Sequence, residues 1–456
     1  IGSFLSRYVT RNLIRTFLYA EVAVGVIGGA TPLVLFFCFA MGTSYTLVLV
    51  AVCLLVGTLV GLEIPLLVRI LRDRYSLKAA LGNVLSVDYL GALGASLIFP
   101  LVLLPRLGLV RSGCLFGMLN VAVALIGAQV FRREVRRTAG IRLAGGVALV
   151  ALSLGFATAG RTTSLLEDML FDDPIIYAET TPYQRLVLTQ WNGDVRLYIN
   201  GAVQFSSVDE FRYHEALVHP AMGSVASPQR VLILGGGDGM AAREVLRHPG
   251  VEAVELVDLD PAVTRLFRDN DTLAALNAGS LRDPRVTVRN RDAMEFLGAT
   301  GDRYDVVIVD LPDPNDESLG KLYTTSFYRL VAKHLAPNGV MVTQATSPFY
   351  ARNAFWCIHN TIAASTVASE GPALQPLPYR ASVPSFGEWG FVMAALRPLS
   401  PDAIELRTAT RYLSPELLPT LFVFPKDIGP RKTAINRLST QPLVRIYRRD
   451  YLQLND

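Results

Sequence analysis

At 456 residues, 51% of them hydrophobic, with a mean hydropathy of +0.35, the chain is too apolar to be soluble throughout, and its length and uneven composition call for two parts. Its 43 Lys and Arg against 39 Asp and Glu leave a formal charge of +4; the basic residues cluster beside apolar spans, which points to membrane topology and away from nucleic acid. Cys38, Cys53, Cys114 and Cys357 are far apart and indicate neither a disulfide framework nor a metal site.

Ile1 to Phe4 leads into Arg7, Arg11 and Arg15. This reads as the tail of an upstream apolar span, since a signal peptide puts its charges before its apolar run. Five apolar spans follow, at 17–40, 46–68, 79–104, 112–131 and 142–160, each near the ~20 residues that cross a bilayer. Gly25, Gly28, Gly29, Gly57, Gly61, Gly91, Gly94 and Ala95 within them would let helices approach closely in lipid. Glu21, Glu63 and Asp88 suggest either a cation path or, the preferred reading, pairing with nearby arginines that orders the bundle.

The basic stretches Arg7–Arg15, Arg69–Lys78 and Arg132–Arg142 fall on one side, cytoplasmic by the positive-inside rule. Five crossings then place everything after residue 160 outside, whereas the chemistry expected of that part uses cytosolic metabolites. The expectation is a multi-pass inner-membrane protein whose catalytic part is cytoplasmic by its chemistry. If one span fails to cross, 79–104 is the candidate.

Residues 162–173 read as an amphipathic helix with Leu165, Leu166, Met169 and Leu170 on one face. Strands at Tyr183–Trp191, Val195–Ile199 and Ala202–Phe205 are joined by Asn192-Gly193-Asp194 and Asn200-Gly201, a strong hairpin signal. Ser207 or Asp209 can cap a helix to about Met222, and this helix carries Tyr213 and His214. Strands near 230–234, 253–258, 285–288, 304–309, 338–344 and 390–396 then alternate with helices near 240–248, 261–269, 292–298, 325–335 and 352–365, the pattern of a doubly wound, mostly parallel sheet.

The fold expected is therefore an α-helical transmembrane bundle, a small β-hairpin domain and an α/β Rossmann-like (methyltransferase-type) doubly wound domain. The boundaries are 1–161 for the bundle, 162–208 for the linker helix and β domain, 209–400 for the α/β domain, and 401–456 for a proline- and arginine-rich extension without an assignable role.

In such sheets the site lies beyond the carboxyl ends of the strands. Strand Val231–Leu234 is followed by Gly235-Gly236-Gly237-Asp238-Gly239, where Asp238 puts a carboxylate in a turn that a phosphate would want bare. Asp258 ends the next strand, at ribose-binding distance. Asp292-Ala293 follows the third, Asp310-Leu311-Pro312-Asp313-Pro314 the fourth, and Gln344 ends the fifth.

Clustered carboxylates suit a cationic substrate. A protonated amine, with a pKa of about 10.4, must lose its proton to attack; one carboxylate can accept it while another anchors a far ammonium. The electrophile expected is a sulfonium nucleoside, with ribose on Asp258, adenine at Asp292 and the positive arm at Asp238. Asp238 would repel the carboxylate of S-adenosylmethionine but not its decarboxylated form, which favours aminopropyl over methyl transfer.

Asp209-Glu210-Phe211-Arg212-Tyr213-His214-Glu215, the glycine turn, Asp258-Leu259-Asp260 and Asp310-Leu311-Pro312-Asp313-Pro314 together resemble the spermidine synthase (polyamine aminopropyltransferase) family over about residues 178–397, and the apolar half resembles its bacterial multi-pass membrane branch. The resemblance implies Asp310 as general base, Asp313 as the acid holding the amine and Tyr213 as the tyrosine orienting it. It puts Gln184, His214 and Asp238 near the donor, Asp258 on the ribose, Asp292 and Ala293 at the adenine, and Gln344 at the acceptor's far end.

Decarboxylated S-adenosylmethionine would be a co-substrate and putrescine the default acceptor, with no further cofactor and no metal. A homodimer is left open. The loop in which the family carries a tyrosine reads Ser382-Val383-Pro384-Ser385-Phe386-Gly387-Glu388 here, with Glu388 or Phe386 as replacements; a different amine therefore stays open as acceptor. The competing readings are a methyltransferase of related fold and a polyamine transporter or sensor without turnover.

Overall fold

The computed structural model describes residues 1–42, 45–72, 75–135, 138–367 and 371–452; positions 73, 74, 136 and 137 of the basic stretches and the last four residues lie outside them. The chain divides into two compact units, Ile1–Pro174 and Ile175–Asp456.

The first unit is helical: α1 (Leu13–Ala40), α2 (Tyr45–Leu71), α3 (Leu77–Ile98), α4 (Leu104–Val130) and α5 (Ala139–Asp168). Among the described residues they form four continuous helical runs long and apolar enough to cross a membrane, the longest of which, Leu77–Val130, passes through a π-helical turn at Phe99–Leu103 and holds both expected spans 79–104 and 112–131. The break expected near 104–112 is local to Gly108, whose φ of +74° and ψ of 177° leave the helical region. Close helix approach occurs where α1 crosses α4: a Cβ on Gly25 would stand 2.7 Å from the Gly117 carbonyl oxygen. Gly28, Gly57, Gly91 and Gly94 face open space instead.

The arginine pairing expected of Glu21, Glu63 and Asp88 is not found. No ion pair involves them among the described residues, and Glu63 Oε1 has no hydrogen-bond partner. The separate amphipathic helix expected at 162–173 is the end of α5, which runs unbroken to Asp168 because no breaker interrupts Arg161–Asp168.

The second unit opens with the antiparallel meander β1 (Ile175–Thr180), β2 (Arg185–Trp191), β3 (Asp194–Ile199) and β4 (Ala202–Ser206). Both Asn-Gly pairs take positive φ, as two-residue hairpin turns require. Helix α6 (Glu210–Gly223) follows. Asp209 stands at its N-cap without bonding it; its carboxylate accepts the Ser385 N–H at 2.7 Å instead.

A seven-stranded sheet comes next. It comprises β5 (Arg230–Gly235), β6 (Ala253–Asp258), β7 (Val286–Asn290), β8 (Tyr304–Asp310), β9 (Leu335–Gln344), β10 (Gln375–Val383) and β11 (Gly387–Ala395), in spatial order β10-β11-β9-β8-β5-β6-β7. Strands β5 to β9 run parallel, and β10–β11 add an antiparallel edge. Helices α7 (Met240–Leu246), α8 (Pro261–Asp269), α9 (Ala293–Ala299), α10 (Thr325–Lys333) and α11 (Arg352–Ala363) cover its faces. Successive β5 residues alternate between two cores: Val231 and Ile233 join one, Leu232 and Leu234 the other, as period-two strands buried on both faces must.

The expected partition of the soluble part into three segments gives way to one packed unit, because the meander's Leu186, Leu197 and Phe205 share a core with Ile233 and with Leu413 and Leu418 of the extension. The extension ends in α12 (Pro442–Leu452) and is tied in by buried polar groups. Asn436 donates to the Gly320 and Tyr323 carbonyls, each at 3.0 Å, and Asp450 accepts the N–H groups of Asn353 and Ala354 at the start of α11 at 2.8 and 3.0 Å.

Candidate active site

Strand order reverses between β5 and β8, and there Gly235 pairs in register with Asp310. This switch point opens a crevice at the strands' carboxyl ends, a cavity of about 350 Å³ lined by Gln184, Tyr213, His214, Asp238, Asp258, Asp292, Ala293, Asp310, Asp313 and Gln344. All ten residues singled out from the sequence therefore reach one cavity.

The glycine turn brings two acids close to its backbone. A Cβ on Gly237 would stand 2.7 Å from the Asp258 carboxyl group, and one on Gly236 3.1 Å from Asp310 Oδ2; Gly236 also has φ +64°, which suits glycine. Asp258 accepts the N–H of Gly237 at 3.1 Å and of Asp260 at 2.9 Å. Asp238 Oδ1 accepts the Met240 N–H at 2.9 Å, at the start of α7.

Asp292 is more committed than a free nucleobase contact would be. Its Oδ1 caps α9 through the N–H of Met294 at 2.8 Å, and its Oδ2 pairs with Lys321 Nζ at 2.7 Å. Burial pushes the Asp292 carboxyl up, but the bond and charge of Lys321 together with the Glu295 and Met294 N–H groups outweigh this and hold it below its ordinary range. Gln184 donates to Asp260 Oδ2 at 3.0 Å, so Asp260, quoted in the sequence motif without a role, clamps the meander to the β6 end.

On the other side Tyr213 Oη donates to Asp310 Oδ1 at 2.7 Å. Asp313 accepts from Tyr447 Oη at 2.8 Å, from Thr346 Oγ1 at 3.3 Å and from Gln344 Nε2 at 3.3 Å. Gln344 is itself locked, donating to the Leu311 carbonyl at 2.7 Å and accepting the Thr346 N–H at 2.8 Å, so it braces the Asp313 loop.

Asp258, Asp310 and Asp313 keep some surface on the cavity but are walled by protein. That desolvation pushes each carboxyl up from 3.8 to about 6. Among the described residues no Lys or Arg forms an ion pair with Asp238, Asp258, Asp310 or Asp313. His214 is buried, which alone would lower its pKa; the hydrogen bond and charge of Glu210, at 2.8 Å, prevail and raise it to about 9. Arg243 holds Glu210 from the other side at 2.9 Å.

The β10–β11 turn puts Phe386 and Trp389 on the cavity wall. Glu388, expected as a replacement for a missing tyrosine, pairs with Arg380 instead, and Phe386 brings no hydroxyl. A tyrosine hydroxyl does reach Asp313 from elsewhere, from Tyr447 on α12, 134 positions away in the chain. The one local signal is the apolar face of Leu443, Val444, Tyr447 and Tyr451 at helical spacing.

The model of the spermine/spermidine synthase domain matches residues 210–397. Polyamine aminopropyltransferase 2 of Ralstonia nicotianae is 47% identical over 99% of this chain and 89% of its own length. The polyamine aminopropyltransferase of Leptospira interrogans is 43% identical over 100% of this chain and 90% of its own. The chain belongs to the spermine/spermidine synthase family. A crystal structure of spermidine synthase in complex with the transition state analogue AdoDATO matches at 26% identity and TM-score 0.51, over 56% of this chain and 86% of that one. The matched family domain ends before α12, so Tyr447 reaches the site from outside it.

Proposed function

We propose that this chain is a polyamine aminopropyltransferase that moves the aminopropyl group of decarboxylated S-adenosylmethionine to putrescine, giving spermidine and methylthioadenosine. The curated relatives' names and the family support the activity. The observation that carries the substrate class is the cavity itself: acids raised by burial, with no Lys or Arg paired to them among the described residues and only the charge of His214 reaching Asp310, a deficit that a cationic amine and a sulfonium nucleoside would make up.

Asp258 takes the ribose hydroxyls and Asp238 attracts the donor's amino arm. The base lies by Asp292 and Ala293, where the Lys321 pair leaves the backbone and one half-occupied carboxylate to meet it. Gln184 and His214 bound the donor side. Asp313 anchors the acceptor's far ammonium, and Tyr213 fixes the rotation of Asp310. The attacking nitrogen gives a proton to Asp310; its lone pair forms the new C–N bond as the C–S bond breaks, and that bond's electrons return to sulfur, leaving a neutral thioether. Held geometry and excluded water supply much of the rate.

The apolar helices are placed in the inner membrane and the α/β unit on its cytoplasmic side, where both substrates are made; a cytoplasm-dependent reporter fused behind residue 456 stays dark if that side is wrong. The decisive assay is turnover by the full chain in detergent with decarboxylated S-adenosylmethionine and, separately, putrescine, cadaverine, spermidine or no amine. Methylthioadenosine formed with one preferred amine names the acceptor, and its absence despite nucleoside binding defeats the reading.

A further inference from the structure

Asp313 is held by hydroxyls and an amide. Tyr447 donates at 2.8 Å to Oδ2, Thr346 at 3.3 Å to the same oxygen, and Gln344 at 3.3 Å to Oδ1. The Tyr447 bond is the shortest of these, and hydrogen bonds to an ionised acceptor are the strong ones. The helix that carries it is fixed at several points. Asp450 grips the start of α11, Asn436 grips the 320–323 turn, and the Tyr451 ring lies 4.7 Å from that of Tyr447. The β10–β11 turn, which also faces the cavity, offers Phe386 and Trp389 there and no hydroxyl.

We propose that Tyr447 is a positioning residue of the amine site: its hydroxyl fixes the Asp313 carboxylate that receives the acceptor's far ammonium, so the C-terminal helix sets which α,ω-diamine fits. This rests on the aminopropyl-transfer reading. With the hydroxyl in place, Oδ2 accepts from both Tyr447 and Thr346 while Oδ1 accepts from Gln344, and the carboxylate plane is held. The remaining lone pairs are then aimed at a fixed distance from Asp310, and that distance selects the length of the diamine. Phe386 and Trp389 provide an apolar wall suited to the methylenes between the two nitrogens. Without the hydroxyl only the two longer bonds, from Thr346 and Gln344 at 3.3 Å each, still restrain the carboxylate, and it protonates more readily. The titratable groups around it are Asp310, Tyr213, Tyr323, Tyr447 and Tyr451, none of them a cation that would compensate.

The test is Tyr447→Phe in the full chain, which keeps the ring and its contact with Tyr451. The expected result is a KM for putrescine raised about 10-fold, the range of one hydrogen bond to a charged group, with kcat within about threefold and nucleoside binding unchanged. The ratio of kcat/KM for putrescine to that for cadaverine narrows, and the acid limb of kcat/KM for the amine moves to higher pH. In an Asp313→Asn background the same change should add less than about twofold, because both act through one interaction. An amine KM, selectivity and acid limb identical to the parent's, or full additivity with Asp313→Asn, overturns the assignment. If the parent chain itself makes no aminopropyl product, the functional reading falls first; parent turnover with an unaltered Tyr447→Phe variant removes only the role of the helix.

Discussion

On the β6–β7 side of the cleft Asp258 and Asp292 are met by backbone N–H groups and a lysine. On the β8–β9 side Asp310 and Asp313 are met by tyrosine hydroxyls, a threonine and an amide. The first arrangement holds Asp258 still with one backbone N–H on each oxygen, which leaves acceptor capacity on both for a ligand that offers hydroxyls. The second leaves negative charge in a walled cavity with no Lys or Arg paired to it among the described residues; the charge of His214 offsets part of the cost at Asp310, and burial still prevails there. Asp258 is raised by burial to about 6 as Asp310 and Asp313 are, so what separates the two sides is the kind of group that holds each acid, backbone N–H and lysine on one and side-chain hydroxyls and an amide on the other.

The largest break in that comparison is Asp310→Asn. The amide cannot accept the attacking amine's proton, so kcat should fall about 10²- to 10⁴-fold, the usual share of a general base, while calorimetry shows nucleoside binding within a factor of about two. Unchanged turnover would remove Asp310 from the chemistry. Stability should move the other way. A carboxyl raised from 3.8 to about 6 by burial binds more protons folded than unfolded between those values, so it takes stability away as pH rises through that window. Asp310→Asn should therefore melt higher than the parent at pH 7.5 and equal to it near pH 4.

Next comes Asp313→Asn. Loss of one charged contact with the far ammonium, worth about 1.5–3 kcal/mol, should raise the amine KM roughly 10- to 150-fold with little change in donor KM. In the parent, kcat/KM for the amine should decline as pH falls through about 6, since Asp310 and Asp313, both raised to about 6, work ionised. A pH–rate profile flat down to pH 5 would mean that neither titrates in the step measured.

The two sides also differ in how readily the sequence discloses them. Asp258 and Asp310 end strands whose apolar runs are plain, and a parallel sheet obliges its strand ends to meet at one edge, so their convergence was legible without coordinates. The glycine turn was equally plain, although its purpose, admitting two carboxylates where a Cβ would collide, shows only in three dimensions. Tyr447 was not legible: it reaches Asp313 from a helix placed by buried Asn436 and Asp450, contacts with no periodic trace.

The partnering of Asp292 by Lys321, 29 positions apart, was hidden for the same reason. In the helical half, composition disclosed the apolar spans. The break expected at 104–112 falls at Gly108, while the π-helical turn at Phe99–Leu103 leaves no trace in composition.

The smallest expected effect tests the quieter side. Lys321 and Asp292 are both partly exposed to the cavity, with side-chain exposures of 36% and 19%, so their pairing should be worth no more than about 1 kcal/mol. Asp292 also keeps its α9 capping bond when Lys321 is removed. Lys321→Ala should leave kcat and the amine KM unchanged and move the donor KM by less than about fivefold. The direction is informative. A tighter donor would mean that the freed Oδ2 accepts a hydrogen bond from the base's exocyclic amine, and that Lys321 restrains it in the parent. A weaker donor would mean that the lysine itself touches the nucleoside. A shift in the amine KM instead would show that the two sides of the cleft are not separable, and the contrast drawn between them would have to be abandoned.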